Sequence, residues 1–369
     1  MKIAPFHLER YFAAYEFNVA HLLCASDCQS LSQAELLAGD EPAREEFLNL
    51  RLGYTESLGA PSLRAAICGL YEKQTPDTIL VCAGAQEAIF LCLNVLLSAG
   101  DQVIVQFPAY QSLYEIPRAL GCRVTLWSGD PEKGWRPELD FLKDSITDNT
   151  RAIILNSPHN PTGYQFTAAE FGEIVDLARK KGSYLFCDEV YRFLEYSRQD
   201  LLPAAADLYE RAVSLGVMSK SFGLAGLRIG WLAAGDSELR RQVAAMKDYT
   251  SICAAAPAEW LAEYALKKRA AILRRNLAIV RANLDLLRVF MAEYEAFFSW
   301  VQPRAGCLAL PRLNAGLNPT EFFTALREKH GLLLAPGDLF GLEPSFFRLG
   351  FGRLDFPAGL EILRRFLAG

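Results

Sequence analysis

Short runs of mostly apolar residues alternate along the chain with longer stretches in which apolar positions return every three or four residues. The runs are Thr78 to Cys82, Gln102 to Gln106, Arg151 to Leu155, Tyr184 to Cys187, Ala212 to Leu215 and Ile229 to Ala233. Runs this short, bounded by polar or glycine-rich clusters, read as strands buried on both faces. Between them, Glu87 to Leu97 and Ala168 to Lys180 read as helices. This alternation predicts an α/β fold with a mostly parallel sheet covered by helices. Further on, Leu273, Leu277, Val280, Leu284, Leu287 and Met291 recur at steps of four and three. They predict one long amphipathic helix, suited to pack on the core and to join a second unit.

Polar and glycine-rich residues cluster just past the ends of the predicted strands. Ala83 to Gln86 follows the first, Phe107 to Tyr110 the second, Asn156 to Gly163 the third, and Asp188 to Tyr191 the fourth. Ligands of open α/β sheets bind outside the carboxyl ends of strands, so these tips should converge on one site. That favours an enzyme over a scaffold.

Composition narrows the classes. The 369 residues are 51% hydrophobic and 22% charged, enough for a large core and incompatible with a disordered chain. A formal net charge of -5 argues against nucleic acid or an anionic membrane as partner. The longest apolar stretch, Ala88 to Ala99, is interrupted by Asn94 and falls short of the roughly 18 residues of a membrane span. The N-terminus lacks an uninterrupted apolar segment, so no secretory signal is expected and a cytoplasmic location is. The nine cysteines lie mostly in apolar stretches and form no C-x-x-C pair. Free thiols are therefore expected, with no metal, even at the closest pair, Cys24 and Cys28.

The strongest chemical signal is Met218-Ser219-Lys220-Ser221-Phe222-Gly223, running on to Arg228 and Trp231. A lone lysine is ordinarily a solvated surface charge. Small and apolar neighbours instead lower the amine's pKa by desolvation, as carbonyl chemistry at the amine requires. Ser219, the glycines and Arg228 offer hydroxyl, backbone and cationic groups suited to a phosphate.

This segment resembles the lysine motif of fold-type I pyridoxal-phosphate enzymes, specifically the class I/II aminotransferases. Asn156 to Gly163 is similar to that family's N-P-x-N-P-T-G loop, with Ser157 in place of the usual proline. Asp188-Glu189-Val190-Tyr191 matches its D-E-x-Y. Tyr54 with Gly59 to Arg64 resembles its Y-x-x-x-x-G-x-x-x-L-R segment, and Phe347-Arg348-Leu349 its late arginine motif. Matches in family order cover most of the chain. The resemblance implies pyridoxal 5'-phosphate as cofactor. It also implies a large cofactor domain over 41–270 and a smaller α+β domain built from 1–40 and 271–369.

The resemblance further assigns roles. Lys220 would hold the cofactor as an aldimine and, once freed, move a proton from the substrate α-carbon. Asp188 would keep the pyridine nitrogen protonated; alone, it reads equally as a cap after a strand. Asn160 and Tyr191 would hydrogen-bond the ring oxygen, and Tyr110 would stack on the ring. Asn160-Pro161 is also simply a turn, and Tyr110 a loop aromatic. Gly84, Ala85 and Gln86 at a helix start, with Ser219 and Arg228, would cradle the phosphate. Tyr54 would reach the phosphate in a neighbouring subunit, implying a homodimer with shared sites. Arg348, with Asn160 beside it, would clamp the substrate α-carboxylate; the alternative is a structural salt bridge.

Two departures matter. Val217 stands where the family usually has a hydroxyl three residues before the lysine. Leu23 to Cys28 does not match the usual L-x-x-G-x-P motif, which leaves room for an unusual substrate, with Asp27 a candidate contact for a basic side chain. No second arginine for a dicarboxylate substrate is identifiable. The leading expectation is an aminotransferase exchanging an amino group between an amino acid and a 2-oxo acid. The alternatives are a pyridoxal-phosphate-dependent lyase, a cyclase resembling capreomycidine synthase, an oxidase, or a non-catalytic amino-acid sensor.

Overall fold

The computed structural model describes residues 2–368. Its centre is one eight-stranded sheet. The strands are β1 Ile79–Cys82, β2 Gln102–Phe107, β3 Arg123–Asp130, β4 Arg136–Pro137, β5 Thr150–Asn156, β6 Tyr184–Asp188, β7 Ala212–Val217 and β8 Gly230–Ala234. Their spatial order is β1-β8-β7-β6-β5-β2-β3-β4. The run of pairs from β7 through β6, β5 and β2 to β3 is parallel. All six expected runs lie in this sheet, and β1, β5, β6, β7 and β8 are almost wholly buried.

Two features escape the hydrophobic pattern. Strand β3 carries Arg123, Thr125 and Ser128 and buries only Trp127 fully, because it lies near the sheet edge. Strand β8 runs antiparallel between β1 and β7. The connection from β7 to β8, residues 218–229, holds only a single 3-10 turn, Ala225–Leu227. A parallel return usually carries a helix across the sheet face; this connection carries none, and the chain doubles back.

The helices follow their end signals. Ala168–Lys181 starts with a reciprocal Thr167–Glu170 capping box and ends at left-handed Gly182. Ala85–Leu96 follows β1 directly and buries Ala88, Ile89, Leu91, Cys92, Leu93 and Leu96. The long helix is Arg269–Glu293, with Val280, Leu284, Leu287 and Met291 buried as the stripe predicts. It also buries Asn276, whose side-chain amide donates to the Ser221 carbonyl at 2.9 Å and so steadies the lysine loop.

The chain ends meet beside the sheet. His21–Leu22 pairs in parallel with Leu332–Leu333. Leu308–Ala309, Phe347–Gly350 and Ala335–Pro336 form a small antiparallel sheet. These pairings bring residues 23–29 and Arg348 over the carboxyl ends of the central strands. Among the described residues no helix is long and apolar enough to cross a membrane, and the nine cysteines are all free.

Candidate active site

In the sheet register Asn156 faces Asp188, and Val217 and Cys82 both pair with Gly230, so the strand tips end close together. A cavity of about 600 Å3 opens over them, where the geometry of an open α/β sheet puts a ligand. Ala85, Gln86, Tyr110, Asn160, Asp188 and Tyr191 line it, as do Ser219, Lys220, Arg228 and Arg348.

One wall is built for an anion. Gly84 has φ +89°, and a Cβ there would strike the Arg228 guanidinium. A Cβ on Gly230 would come within 2.6 Å of the Gly84 carbonyl carbon and 2.8 Å of the Ala85 nitrogen. The two glycines thus let the β1 turn, β8 and Arg228 crowd together. Helix Ala85–Leu96 has no side-chain cap, so its first N–H groups and its positive end are free toward the cavity. Arg228 itself has φ +52°, bonds only the Ala225 carbonyl at 3.2 Å, and makes no ion pair among the described residues. This donor set fits a phosphate. Val217 contributes no hydroxyl, and Ser219 is buried close by.

The floor is acidic. Asp188 is buried, and among the described residues no cation bonds it. Its Oδ1 accepts only the Val190 N–H at 3.2 Å, so the capping reading holds for a tight turn rather than a helix. Burial pushes its carboxyl up to about 7. Asn156 ties the floor to the next loop: its amide donates to the Asp188 carbonyl at 2.8 Å and its Oδ1 accepts from the Asn160 N–H at 2.6 Å. Tyr191 is buried and donates its hydroxyl to the Ser26 carbonyl at 3.0 Å. Lys220 donates from Nζ to Ser26 Oγ at 2.7 Å, and burial lowers its pKa.

The opposite wall carries Arg348, which is 1% exposed. Its Nη2 donates to the Cys24 carbonyl at 2.8 Å, its Nη1 to Asn160 Oδ1 at 3.3 Å, and its Nε has no partner. The Phe12 and Phe340 rings lie 5.7 and 5.2 Å from the guanidinium. No carboxylate is within ion-pair distance among the described residues, which disposes of the structural salt bridge. A buried guanidinium with a vacant donor edge suits a ligand carboxylate.

The roof was not legible from sequence. Helix His7–Tyr15 and the residue before it place Phe6, Glu9 and Phe12 in the cavity. Tyr110 packs on Phe6 with centroids 4.9 Å apart and donates its hydroxyl to Glu9 Oε1 at 2.8 Å. Ser26 is likewise a cavity residue. No local signal marks either, because their partners lie 101 and 194 positions away. Asp27 does not face a ligand: Arg353 binds both of its oxygens at 2.9 and 3.0 Å. Tyr54 stands on the surface, 92% exposed and outside its own chain's cavity. The Gly59 and Arg64 of its motif are structural: Arg64 is buried and donates to the Gly59 and Pro76 carbonyls at 3.0 and 2.9 Å.

Comparison with known proteins places this geometry. The family described as aminotransferase class I and II matches residues 23–356. Capreomycidine synthase of Streptomyces vinaceus is 31% identical over 309 residues, 83% of this chain and 79% of that protein. Among solved structures, a pyridoxal-phosphate-dependent aminotransferase from Streptococcus suis 89-1591 superposes with a TM-score of 0.94 at 32% identity, covering 100% of this chain and 98% of that one. The pyridoxal-phosphate-dependent cyclase OrfR superposes with a TM-score of 0.90, also at 32% identity, with the same coverage.

Proposed function

The chain belongs to the aminotransferase class I and II family and is a pyridoxal-phosphate-dependent protein, and from that premise we propose that it exchanges an amino group between an amino acid and a 2-oxo acid. The observation that carries this reading is one cavity faced by the Lys220 amine, the Asp188 carboxyl and the unpaired Arg348 guanidinium. When bound, pyridoxal phosphate supplies a sink for the electrons of a bond broken at the substrate α-carbon.

The chain's own groups do the rest. Lys220 Nζ would hold the cofactor and, once free, would serve as the base that takes the substrate's α-proton and gives it back. Asp188, drawn toward its anion by a protonated pyridine nitrogen, keeps that nitrogen charged. Asn160 and Tyr191 hydrogen-bond the ring oxygen, and Tyr110 covers the ring. Gly84, Ala85, Gln86, Ser219 and Arg228 hold the phosphate. Arg348, with Asn160, orients the substrate through its α-carboxylate.

We read the active unit as a homodimer, with a large domain over 41–270 and a smaller one from 1–40 and 271–369. Exposed Tyr54, Tyr249 and Ile252 support the dimer: the Thr55 hydroxyl donates to the Ala254 carbonyl at 2.8 Å and Lys247 to the Ser57 and Ile252 carbonyls at 2.6 and 2.9 Å, so their segments adjoin, and a monomer seldom leaves an apolar patch in water. Tyr54 then completes the phosphate site of the neighbouring subunit.

A second reading, a cyclase or lyase, is favoured by the likeness to capreomycidine synthase and OrfR and by the divergent Leu23 to Cys28 segment. Incubating the loaded protein with single amino acids separates the two. Stoichiometric conversion of the cofactor to its pyridoxamine form supports transamination. Turnover to a cyclised or eliminated product with the cofactor unchanged overturns it in favour of the second reading. Lys220→Ala should lose both turnover and the borohydride-trapped adduct; a reducible adduct at full yield would remove Lys220 from the scheme.

A further inference from the structure

Lys220 has one hydrogen-bond partner for its amine among the described residues, and it is not the residue that the family's motif puts at that position. Its Nζ lies 2.7 Å from Ser26 Oγ. In the L-x-x-G-x-P pattern, Leu23 to Cys28 puts Ser26 in the place of the glycine. A hydroxyl therefore touches the lysine where the pattern has no side chain at all.

We propose that Ser26 is a catalytic residue, whose hydroxyl accepts a hydrogen bond from the Lys220 amine and stabilises the ammonium formed there when a proton is taken from the substrate. The inference rests on the reading of Lys220 as the proton-transferring lysine.

Ser26 is held in place from several sides. The Cys28 N–H donates to the Lys220 carbonyl at 3.3 Å, the Gln29 N–H to the Gly352 carbonyl at 2.8 Å, and the Gly350 N–H to the Leu23 carbonyl at 2.7 Å. Gly223 in the lysine loop has φ +68°, and a Cβ there would lie 2.6 Å from the Gln29 carbonyl oxygen. The segment is thus packed against the lysine loop and has little freedom to carry the hydroxyl away.

Other groups face Lys220 without bonding its amine. They are Asp27, Arg348, Cys307, Glu9, Asp188 and Glu16. Asp27 is engaged by Arg353 and Glu9 by Tyr110. Arg348 repels an ammonium. Asp188 faces the pyridine nitrogen in the proposed scheme.

An ammonium in a desolvated site needs acceptors, and a hydrogen bond to a charged donor is about twice as strong as one to a neutral donor. Ser26 Oγ therefore favours the protonated lysine over the neutral one. It makes the freed Lys220 a stronger base than a lysine facing glycine. The proton balance is simple: Lys220 gains the α-proton and later returns it, while Ser26 accepts throughout and transfers nothing.

The test uses the cofactor-loaded full chain as wild type, Ser26→Gly, Ser26→Ala and Ser26→Thr. The probe is 2-aminoisobutyrate, which binds through its amine but has no α-hydrogen to lose. Its expulsion by Lys220, followed by absorbance, requires the neutral amine and so reports that amine's titration without turnover. In Ser26→Gly and Ser26→Ala the half-maximal pH should fall by about one to two units, with Ser26→Thr near wild type. In parallel, exchange of an α-hydrogen for solvent deuterium should slow about 10- to 100-fold, with ligand affinity retained.

An unshifted half-maximal pH in Ser26→Gly overturns the proposal, as does a loss of affinity alone, which would mark a merely structural serine. If Lys220→Ala keeps the reducible adduct, the reading of Lys220 fails first and takes this inference with it, a distinguishable result.

Discussion

Replacing Arg348 with Met should weaken amino-acid binding while changing the stability of the substrate-free protein little. The guanidinium is 1% exposed, and among the described residues its Nε lacks a partner and no carboxylate is within ion-pair distance. Such a group costs free energy to bury, and swapping buried charge for a packed apolar side chain of similar volume is often neutral or stabilising by about 1 to 4 kcal/mol. Against this stand the Cys24 carbonyl and Asn160 Oδ1, which would lose their donors at 2.8 and 3.3 Å at a cost of ~1 kcal/mol each. The net expectation is a change between about −2 and +2 kcal/mol. With substrate bound the sign reverses. Removing one partner of a buried charge pair costs about 2 to 5 kcal/mol, or roughly 30- to 5,000-fold in affinity. Urea unfolding of the loaded, substrate-free protein and absorbance titration with an amino acid give the two numbers. An amine with the same side chain but no carboxylate should bind wild type and variant alike. A stability loss above about 2 kcal/mol with unchanged affinity would make Arg348 structural and refute the reasoning.

Asp188→Asn should flatten a pH dependence of stability in the cofactor-free chain. With its carboxyl raised to about 7 by burial, Asp188 contributes stability that is full below an unfolded value near 4 and is lost as pH rises through 7. Because Glu195 and Glu259 are also raised to about 7, the wild-type minus variant difference in urea midpoints is the quantity to read; no difference would remove Asp188 as its cause. In the loaded protein the same variant should slow proton transfer in single-turnover kinetics, and a wild-type rate would reduce Asp188 to a turn cap. Mixing Tyr54→Ala with Lys220→Ala subunits should regenerate about one intact site per heterodimer, and full activity in a strictly monomeric protein would refute shared sites. A panel of amino donors compared by kcat/KM should rank aspartate and glutamate below donors with neutral, aromatic or cationic side chains, because Glu9 lines the cavity and repels a second carboxylate; Glu9→Gln should narrow that gap. A strong wild-type preference for aspartate would contradict it.

The sequence by itself determined what depends on near neighbours. Apolar runs such as Ala212 to Leu215 and Ile229 to Ala233 announce strands because a buried parallel sheet tolerates little else. The long stripe from Leu273 to Met291 announces a helix because its period is that of a helix face. Nine of the cavity residues sit in three compact segments, Asn156 to Asn160, Asp188 to Tyr191 and Ser219 to Arg228, just past strand ends, so order along the chain reveals them. Even so, local pattern did not foresee β3, whose edge position relaxes the demand for apolar residues. Nor did it give the direction of β8, which follows from the short connection that also carries the lysine.

Tertiary structure alone decided which groups meet across the cavity. Lys220 and Ser26 are 194 positions apart, Arg348 and Asn160 188, Tyr110 and Glu9 101, and Asp27 and Arg353 326. Each pairing depends on both chain ends folding back over the sheet, through His21–Leu22 against Leu332–Leu333 and the small sheet that carries Arg348. A charged side chain takes the partner that packing brings within about 3 Å, and no local periodicity encodes that distance. Asp27 shows the consequence: its acidic character is plain in the sequence, but packing spends it on Arg353, leaving Glu9 as the carboxylate at the roof of the cavity.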